Sequence, residues 1–175
     1  GGCNGPVSAQ QSLTVTPNSA VVSVTGGTSP LCIGQTTTCT ANGVVLSGGT
    51  GAWSSSNNAV ATVDNAGLVT AQGAGTCNII YTVTGGCNGP VSALQAITVN
   101  ANSAISSVTG TSPLCLGATA SYIANGVVLG GGTGTWSSSD ILVATVNPAS
   151  GLVTAVGVGA CNIIYTITGG CNGPV

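Results

Sequence analysis

Short runs in which apolar residues alternate with Thr, Ser or Asn recur along this chain. The longest is 76–84, where Cys77, Ile79 and Tyr81 fall on one face of a strand, and 35–41 has the same period. A period of two is typical of half-buried β-strands. Further strands are predicted at 21–25, 52–56, 59–63, 68–71 and 91–100. No stretch has a helical period, so the pattern predicts an all-β protein.

One heptapeptide repeats three times. Gly-Gly-Cys-Asn-Gly-Pro-Val stands at 1–7, 85–91 and 169–175, so successive copies are 84 residues apart. About seven predicted strands fall in each period, which is the number in an immunoglobulin-like sandwich. We therefore expect tandem immunoglobulin-like β-sandwiches of about seven strands each, with no helix and with the heptapeptide as the last hairpin turn of each.

The phase of the repeat predicts the unit boundaries. Residues 1–17 are expected to be the last strand of a preceding unit, 18–100 a first complete unit, and 101–175 a second unit that lacks its final strand. The second unit has one Gly where the first has Gly26-Gly27, and one extra residue in the hairpin turn 147–151 relative to 64–67. Both differences fall in predicted turns, where length changes cost little.

Charge is almost absent. The 175 residues include no Lys, Arg or His, and Asp64 and Asp140 give a formal net charge of -2. Without cationic side chains the chain cannot neutralise phosphates or bind an anionic membrane surface, so no nucleic-acid partner is expected. The mean hydropathy is +0.56, yet no apolar run approaches the roughly 18 residues of a spanning helix, so no membrane insertion is expected.

The inventory of side chains bears on chemistry as well. General acid–base catalysis and activated nucleophiles need His, Lys or closely placed carboxylates, whereas Asp64 and Asp140 lie in different loops of different units. A calcium site needs several carboxylates in one cluster. We expect no enzyme activity, no cofactor and no metal site.

Two segments carry a family resemblance. The run from Trp53 to Ala71, Trp-Ser-Ser-Ser-Asn-Asn-Ala-Val-Ala-Thr-Val-Asp-Asn-Ala-Gly-Leu-Val-Thr-Ala, is followed by Gly-Thr-Cys-Asn-Ile-Ile-Tyr at 75–81, and the second unit repeats both. They resemble the bacterial Ig-like domain, group 2. The Gly-Gly-Cys elements and low charge are similar to arrays in giant surface adhesins of gliding Bacteroidetes. That resemblance implies type IX secretion, a bacterial cell-surface location and a role in adhesion and gliding motility.

The eight cysteines lack the paired spacing of zinc or iron–sulfur sites, which favours disulfides and an oxidising, extracellular compartment. Cys39 and Cys77 occupy the positions of the inter-sheet bridge of immunoglobulin domains, but the second unit has Tyr122 in place of Cys39. In a head-to-tail array a Cys32–Cys171 bridge across the unit junction is possible. Competing pairings are Cys32 with Cys77, Cys32 with Cys87, and Cys115 with Cys161. Sequence leaves these alternatives open, and the full set of candidates is Cys3, Cys32, Cys39, Cys77, Cys87, Cys115, Cys161 and Cys171.

Trp53 and Trp136 are interpreted as core residues of a middle strand rather than sugar-stacking platforms. The function expected is a structural repeat in a disulfide-stiffened extracellular filament, whose partners are neighbouring repeats. Two alternatives remain: a module that binds glycan or another surface directly, and a filament subunit polymerised by strand donation.

Overall fold

The computed structural model describes residues 2–175, which form fifteen β-strands and no helix. The first unit contains eight strands: β1 (Ser23–Gly26), β2 (Leu31–Cys32), β3 (Thr36–Asn42), β4 (Thr50–Ser55), β5 (Ala61–Val63), β6 (Leu68–Ala71), β7 (Gly75–Thr84) and β8 (Val91–Asn100). The second contains seven: β9 (Ser107–Thr109), β10 (Thr119–Ser121), β11 (Ile123–Asn125), β12 (Thr133–Ser138), β13 (Ala144–Val146), β14 (Leu152–Ala155) and β15 (Ile163–Thr168). The expected all-β, immunoglobulin-like architecture is confirmed.

The first unit is a sandwich of two four-stranded sheets. One has the order β1-β3-β6-β5 and the other β2-β8-β7-β4; all pairs are antiparallel except β2 with β8. The inward faces of both sheets form one cluster in which Val69, Ile79 and Ile97 have no exposed surface. Each such side chain contributes about 1.5–3 kcal/mol of burial free energy, so these alternating positions hold the two sheets together.

The β7–β8 hairpin is the longest paired element. It runs in continuous register from Gly75↔Val99 to Val83↔Val91, and the heptapeptide at 85–91 makes its turn. Asn88 adopts a φ of +82° in that turn, a left-handed conformation that Asn tolerates better than most residues. The heptapeptide is thus the hairpin turn that the repeat phase predicted.

The second unit has smaller sheets, with orders β10-β14-β13, β11-β9 and β12-β15. The continuous β3 of the first unit corresponds to two separate strands, β10 and β11, which pair with β14 and β9. A further difference lies beside β15. In the first unit β7 has β4 on one edge and β8 on the other, whereas β15 is paired with a strand on its β12 edge alone among residues 2–175. Several core side chains of the second unit are therefore only half-buried.

The strand predicted within 1–17 does not form among residues 2–17, where Leu13 and Val15 are 86% and 83% exposed. A strand needs a partner for its backbone groups, and within the described residues this segment has none. The assignment of 1–17 to a preceding unit stays a prediction, as do the boundaries 18–100 and 101–175. Residues 2–175 form no helix of the length and apolarity that would cross a membrane.

Candidate functional site: the junction between the two units

A disulfide joins the two units. Cys32 Sγ of the first unit is bonded to Cys171 Sγ of the second, with 5.4 Å between their Cα atoms and a sequence separation of 139. Cys32 is placed by β2, whose short parallel pairing sets it opposite Asn100 at the end of β8. Since the chain passes from β8 directly into the second unit, Cys32 lies where that unit begins.

The turn that carries Cys171 is held at this place by backbone hydrogen bonds. Ser103 N donates to Cys171 O at 3.0 Å, and Cys171 N donates to Gly130 O at 3.1 Å. The Ser103 hydroxyl donates to Leu129 O at 2.9 Å, and Asn100 Nδ2 donates to Gly130 O at 3.4 Å. Cys171 is only 2% exposed. The start of the second unit and its last turn thus form one packed block against the end of the first unit.

The heptapeptide sequence suits this packing. A Cβ on Gly170 would lie 2.1 Å from Ser103 Oγ, so only glycine fits beside that hydroxyl. Asn172 and Gly173 follow with φ of +78° and +76°, which turns the chain sharply after Cys171. The Gly-Gly-Cys-Asn-Gly order therefore fits one specific turn against a serine.

The same block occurs at the start of the first unit. Ser19 N donates to Cys87 O at 2.9 Å and the Ser19 hydroxyl donates to Leu46 O at 3.1 Å. Thr16 Oγ1, at the position that corresponds to Asn100, lies 3.0 Å from Cys87 Sγ. Cys87 is exposed and free in the structure. The two blocks differ at the cysteine of the turn. Cys171 is bonded to Cys32 of the adjoining unit, whereas Cys87 is free.

The other cysteines fall into two groups. Cys39 and Cys77 are buried thiols in the core, 2% and 5% exposed, and burial raises the pKa of the Cys39 thiol above its ordinary value. Both are free, so the inter-sheet bridge is not formed, and Cys39 Sγ instead packs over Gly27. The remaining free cysteines are Cys3, Cys87, Cys115 and Cys161.

The bridge also bears on the alternative pairings. Because Cys32 Sγ is bonded to Cys171, it is not available to Cys77 or Cys87. Cys115 and Cys161 are both free, so the pairing between them is not formed either. Of the alternatives left open by the sequence, the structure contains the one that crosses the junction.

Both tryptophans pack inside the sandwiches. Trp136 is 6% exposed, and Trp53 is half-buried against the first core. Each ring meets the tyrosine opposite it on the neighbouring strand edge to face, with centroids 4.9 Å apart, in the pairs Trp53–Tyr81 and Trp136–Tyr165. A ring packed in this way offers little open face for stacking on a sugar.

The two carboxylates act within turns. Asp64 Oδ1 accepts hydrogen bonds from Ala66 N at 2.8 Å and Leu68 N at 2.9 Å, and Asp140 Oδ1 accepts one from Leu142 N at 2.9 Å. Such contacts are typical of Asx turns. Across residues 2–175, no three His, Cys, Asp or Glu side chains cluster in a way that would hold a metal ion.

Sequence reasoning missed the roles of Ser103 and Gly130 at the junction. A signal for the serine was present, since Asn-Ser-Ala follows a predicted strand at both 18–20 and 102–104. The role of that serine depends on which turn lies opposite it, and a local sequence pattern does not show this tertiary contact.

Comparison with known proteins agrees with the fold. Residues 39–86 match the family model of the intimin immunoglobulin-like domain. The match covers less than half of the chain and supports a bacterial Ig-like domain in the first unit. No curated protein matches the chain.

Solved structures to which this chain is similar include surface layer protein SbsC, domains 1–6, at 19% identity and a TM-score of 0.36, over 92% of this chain and 27% of that one. SbsC domains 4 and 5 match at 18% identity and a TM-score of 0.36, over 91% of this chain and 96% of that one. Protocadherin Gamma B2 extracellular cadherin domains 3–6 match at 11% identity and a TM-score of 0.40, over 90% of this chain and 51% of that one. The chain thus spans about a quarter of the six-domain SbsC structure, and similarities of this size carry no functional argument.

Proposed function

We propose that this chain is a structural, non-catalytic part of a long extracellular stalk on a bacterial surface. Its Ig-like units follow one another head to tail, and disulfides between neighbouring units stiffen the row. The observation that carries the proposal is the Cys32–Cys171 bridge, which joins one unit to the next rather than closing a loop within one unit. Its partners in this role are the neighbouring repeats of the same array.

Several further features support a stalk. A structural disulfide persists in oxidising compartments such as the cell exterior. The family model that matches residues 39–86 describes an immunoglobulin-like domain of intimin. Main-chain hydrogen bonds within the second unit hold the Cys171 turn, and this turn meets the first unit through the disulfide and the Asn100 amide, so the junction involves no charged group.

The narrower proposal is that the array belongs to a giant gliding-motility adhesin similar to SprB, exported by type IX secretion. It is supported by the heptapeptide, the Trp-Ser-Ser-Ser segments and the near absence of charge. In that role the stalk would carry an adhesive region away from the cell, and direct binding of glycan would belong to other parts of the protein.

Pulling one chain by its two ends tests the stalk. When the bridge is intact, force passes from Cys32 to Cys171 through the disulfide, and the chain between them, a sequence separation of 139, bears no load. Reduction should therefore add about 50 nm to the fully extended length, at roughly 3.5 Å per residue.

The matched control is the Cys87→Ser, Cys115→Ser variant, which removes two free cysteines and should keep the short extension. Equal extension before and after reduction would show that the bridge bears no load, and the stalk proposal would fail.

A further inference from the structure

One dipeptide, Asn-Gly, recurs in two contrasting structural settings. It occurs five times in this chain, at 4–5, 42–43, 88–89, 125–126 and 172–173. The copies that begin with Asn42 and Asn125 lie at the ends of β3 and β11, so their asparagines are paired in a sheet. The copies that begin with Asn88 and Asn172 lie in the heptapeptide turns, where both asparagines are exposed.

An Asn-Gly dipeptide can lose its amide without an enzyme. The backbone nitrogen of the glycine attacks the asparagine Cγ, because glycine has no Cβ that would keep the nitrogen away. A C–N bond forms, the Cγ–Nδ2 bond breaks, and ammonia leaves with the proton of the backbone nitrogen. Water then opens the five-membered imide at one of its two carbonyl carbons and gives Asp or isoAsp. The only co-reactant is water, and no electron is transferred.

The sheet holds the asparagine of both paired copies at two points. Asn42 Nδ2 donates to Thr25 Oγ1 at 2.7 Å, and Asn42 O accepts from Val22 N at 2.9 Å. In the second unit, Asn125 Nδ2 donates to Thr109 Oγ1 at 3.1 Å, and Asn125 O accepts from Ser106 N at 2.9 Å. Imide formation requires the side chain to leave the threonine and the following peptide to rotate, so these hydrogen bonds oppose the reaction.

The turn copies are not held in this way. Among residues 2–175, no hydrogen bond restrains the side-chain amide or the carbonyl of Asn88 or Asn172. Asn88 lies in the middle of the β7–β8 hairpin, both strands of which are paired. A Cβ on Gly89 would meet nothing within 4 Å, and the same is true of Gly173. The turns therefore leave the side chain and the following peptide room to move.

We propose that the Asn-Gly of the heptapeptide turn is a site of hydrolytic modification, at which Asn88 and Asn172 are converted to Asp or isoAsp while Asn42 and Asn125 are preserved. Two hydrogen bonds must break before the paired copies can react. The turn copies should therefore react at least about tenfold faster in the folded chain.

The modification would change the charge of the chain where charge is otherwise absent. Conversion of both turn copies adds two carboxylates, so the formal net charge goes from -2 to -4. Asn172 directly follows Cys171, whose disulfide to Cys32 joins the two units. One of the new carboxylates would thus lie at a junction that has no charged group. The isoAsp product also adds one methylene to the backbone of a turn in which Asn172 has a φ of +78°.

Timed peptide mapping of the folded chain at mildly alkaline pH tests the proposal. Pepsin digestion in acid, where the reaction is slow, followed by mass spectrometry measures amide-to-acid conversion at each asparagine. We expect conversion at Asn88 and Asn172 with both Asp and isoAsp products, and at least about tenfold less at Asn42 and Asn125. The same experiment in urea removes the sheet, and all four sites should then react at similar rates.

A matched variant tests the cause of the protection. Thr25→Val removes the hydroxyl that accepts from Asn42 Nδ2 and keeps a β-branched residue at an exposed position of β1. Conversion at Asn42 should rise, whereas Asn125, which is held by Thr109, should stay as slow as in the unchanged chain.

Equal conversion at the turn and sheet copies of the folded chain would overturn the proposal, as would an intact Asn88 under conditions that convert it in urea. A contrast that persists unchanged in urea would also overturn it, because the fold would then not be its cause. If Thr25→Val leaves Asn42 as slow as before, the protection assigned to that hydrogen bond is wrong. The proposal does not rest on the stalk function, and these outcomes leave the Cys32–Cys171 bridge untouched.

Discussion

Removal of the Cys32–Cys171 bridge should destabilise both units together. The bridge restrains a loop of 139 residues in the unfolded chain, and the chain-entropy model gives about 5 kcal/mol for a loop of that length at 25 °C. The Cys32→Ala, Cys171→Ala variant should therefore lose about 4–5 kcal/mol of unfolding free energy. Since Cys171 is buried, the lost packing adds to this loss.

Urea unfolding followed by tryptophan fluorescence measures the effect, because each unit has one tryptophan in its sandwich. At a slope of about 2 kcal/mol per molar, the midpoint should fall by roughly 2 M. Trp53→Phe and Trp136→Phe versions report on one unit each. Without the bridge we expect their transitions to separate, since the units are then joined by the backbone alone and no longer by the disulfide.

Cys87→Ala with Cys115→Ala is the matched control, because it removes two exposed cysteines that are free in the structure. It should unfold at the same urea midpoint as the unchanged protein. If the bridge-free variant kept the midpoint of the unchanged chain, the loop-closure reasoning would be refuted. If the control lost as much stability, the free cysteines would be the ones that matter.

Two further predictions concern the core of the first unit. Gly67→Ala should cost about 1–3 kcal/mol of unfolding free energy, because its φ is +83° and a Cβ would lie 2.4 Å from Cys39 O and 3.2 Å from the Trp53 ring. Gly89→Ala, at φ +75° with open space around it, is the control and should cost less in the same urea assay. Iodoacetamide in the folded chain should modify Cys87 well before Cys39, because Cys39 is buried and its raised pKa leaves less thiolate at a given pH; mass spectrometry of timed samples measures this.

A specific result would contradict the glycine prediction, and another would contradict the cysteine prediction. Equal losses for Gly67→Ala and Gly89→Ala would show that the approach of the Trp53 ring does not matter. In urea, Cys39 and Cys87 should react at similar rates, which separates burial from intrinsic reactivity. Equal rates in the folded chain would contradict the placement of Cys39 in the core.

The strands were predictable because alternation is a local property. The runs at 68–71 and 91–100 were predicted with the bounds that β6 and β8 have, and 76–84 differs from β7 by one residue. The segment at 13–16 has the same alternation but forms no strand, since a strand also requires a partner. Local pattern specifies what a segment can become, and pairing decides whether it does.

The junction was less predictable. Sequence placed Cys32 and Cys171 among several possible pairs, and nothing local distinguished Cys171 from Cys77 or Cys87. The choice depends on β2 lying beside the end of β8 and on Ser103 binding the Cys171 turn. Both contacts join segments that are far apart in sequence, and a local residue pattern does not show which distant segment a residue contacts.

The bridge also changes what a single cut can do to the chain. A peptide bond broken anywhere between Cys32 and Cys171 leaves both fragments joined through the disulfide. Exposed turns such as 64–66 or 147–150 are the usual places for proteolytic nicking, and both lie inside this interval. A protein exposed to foreign proteases could thus be nicked in either unit and still remain one covalent piece.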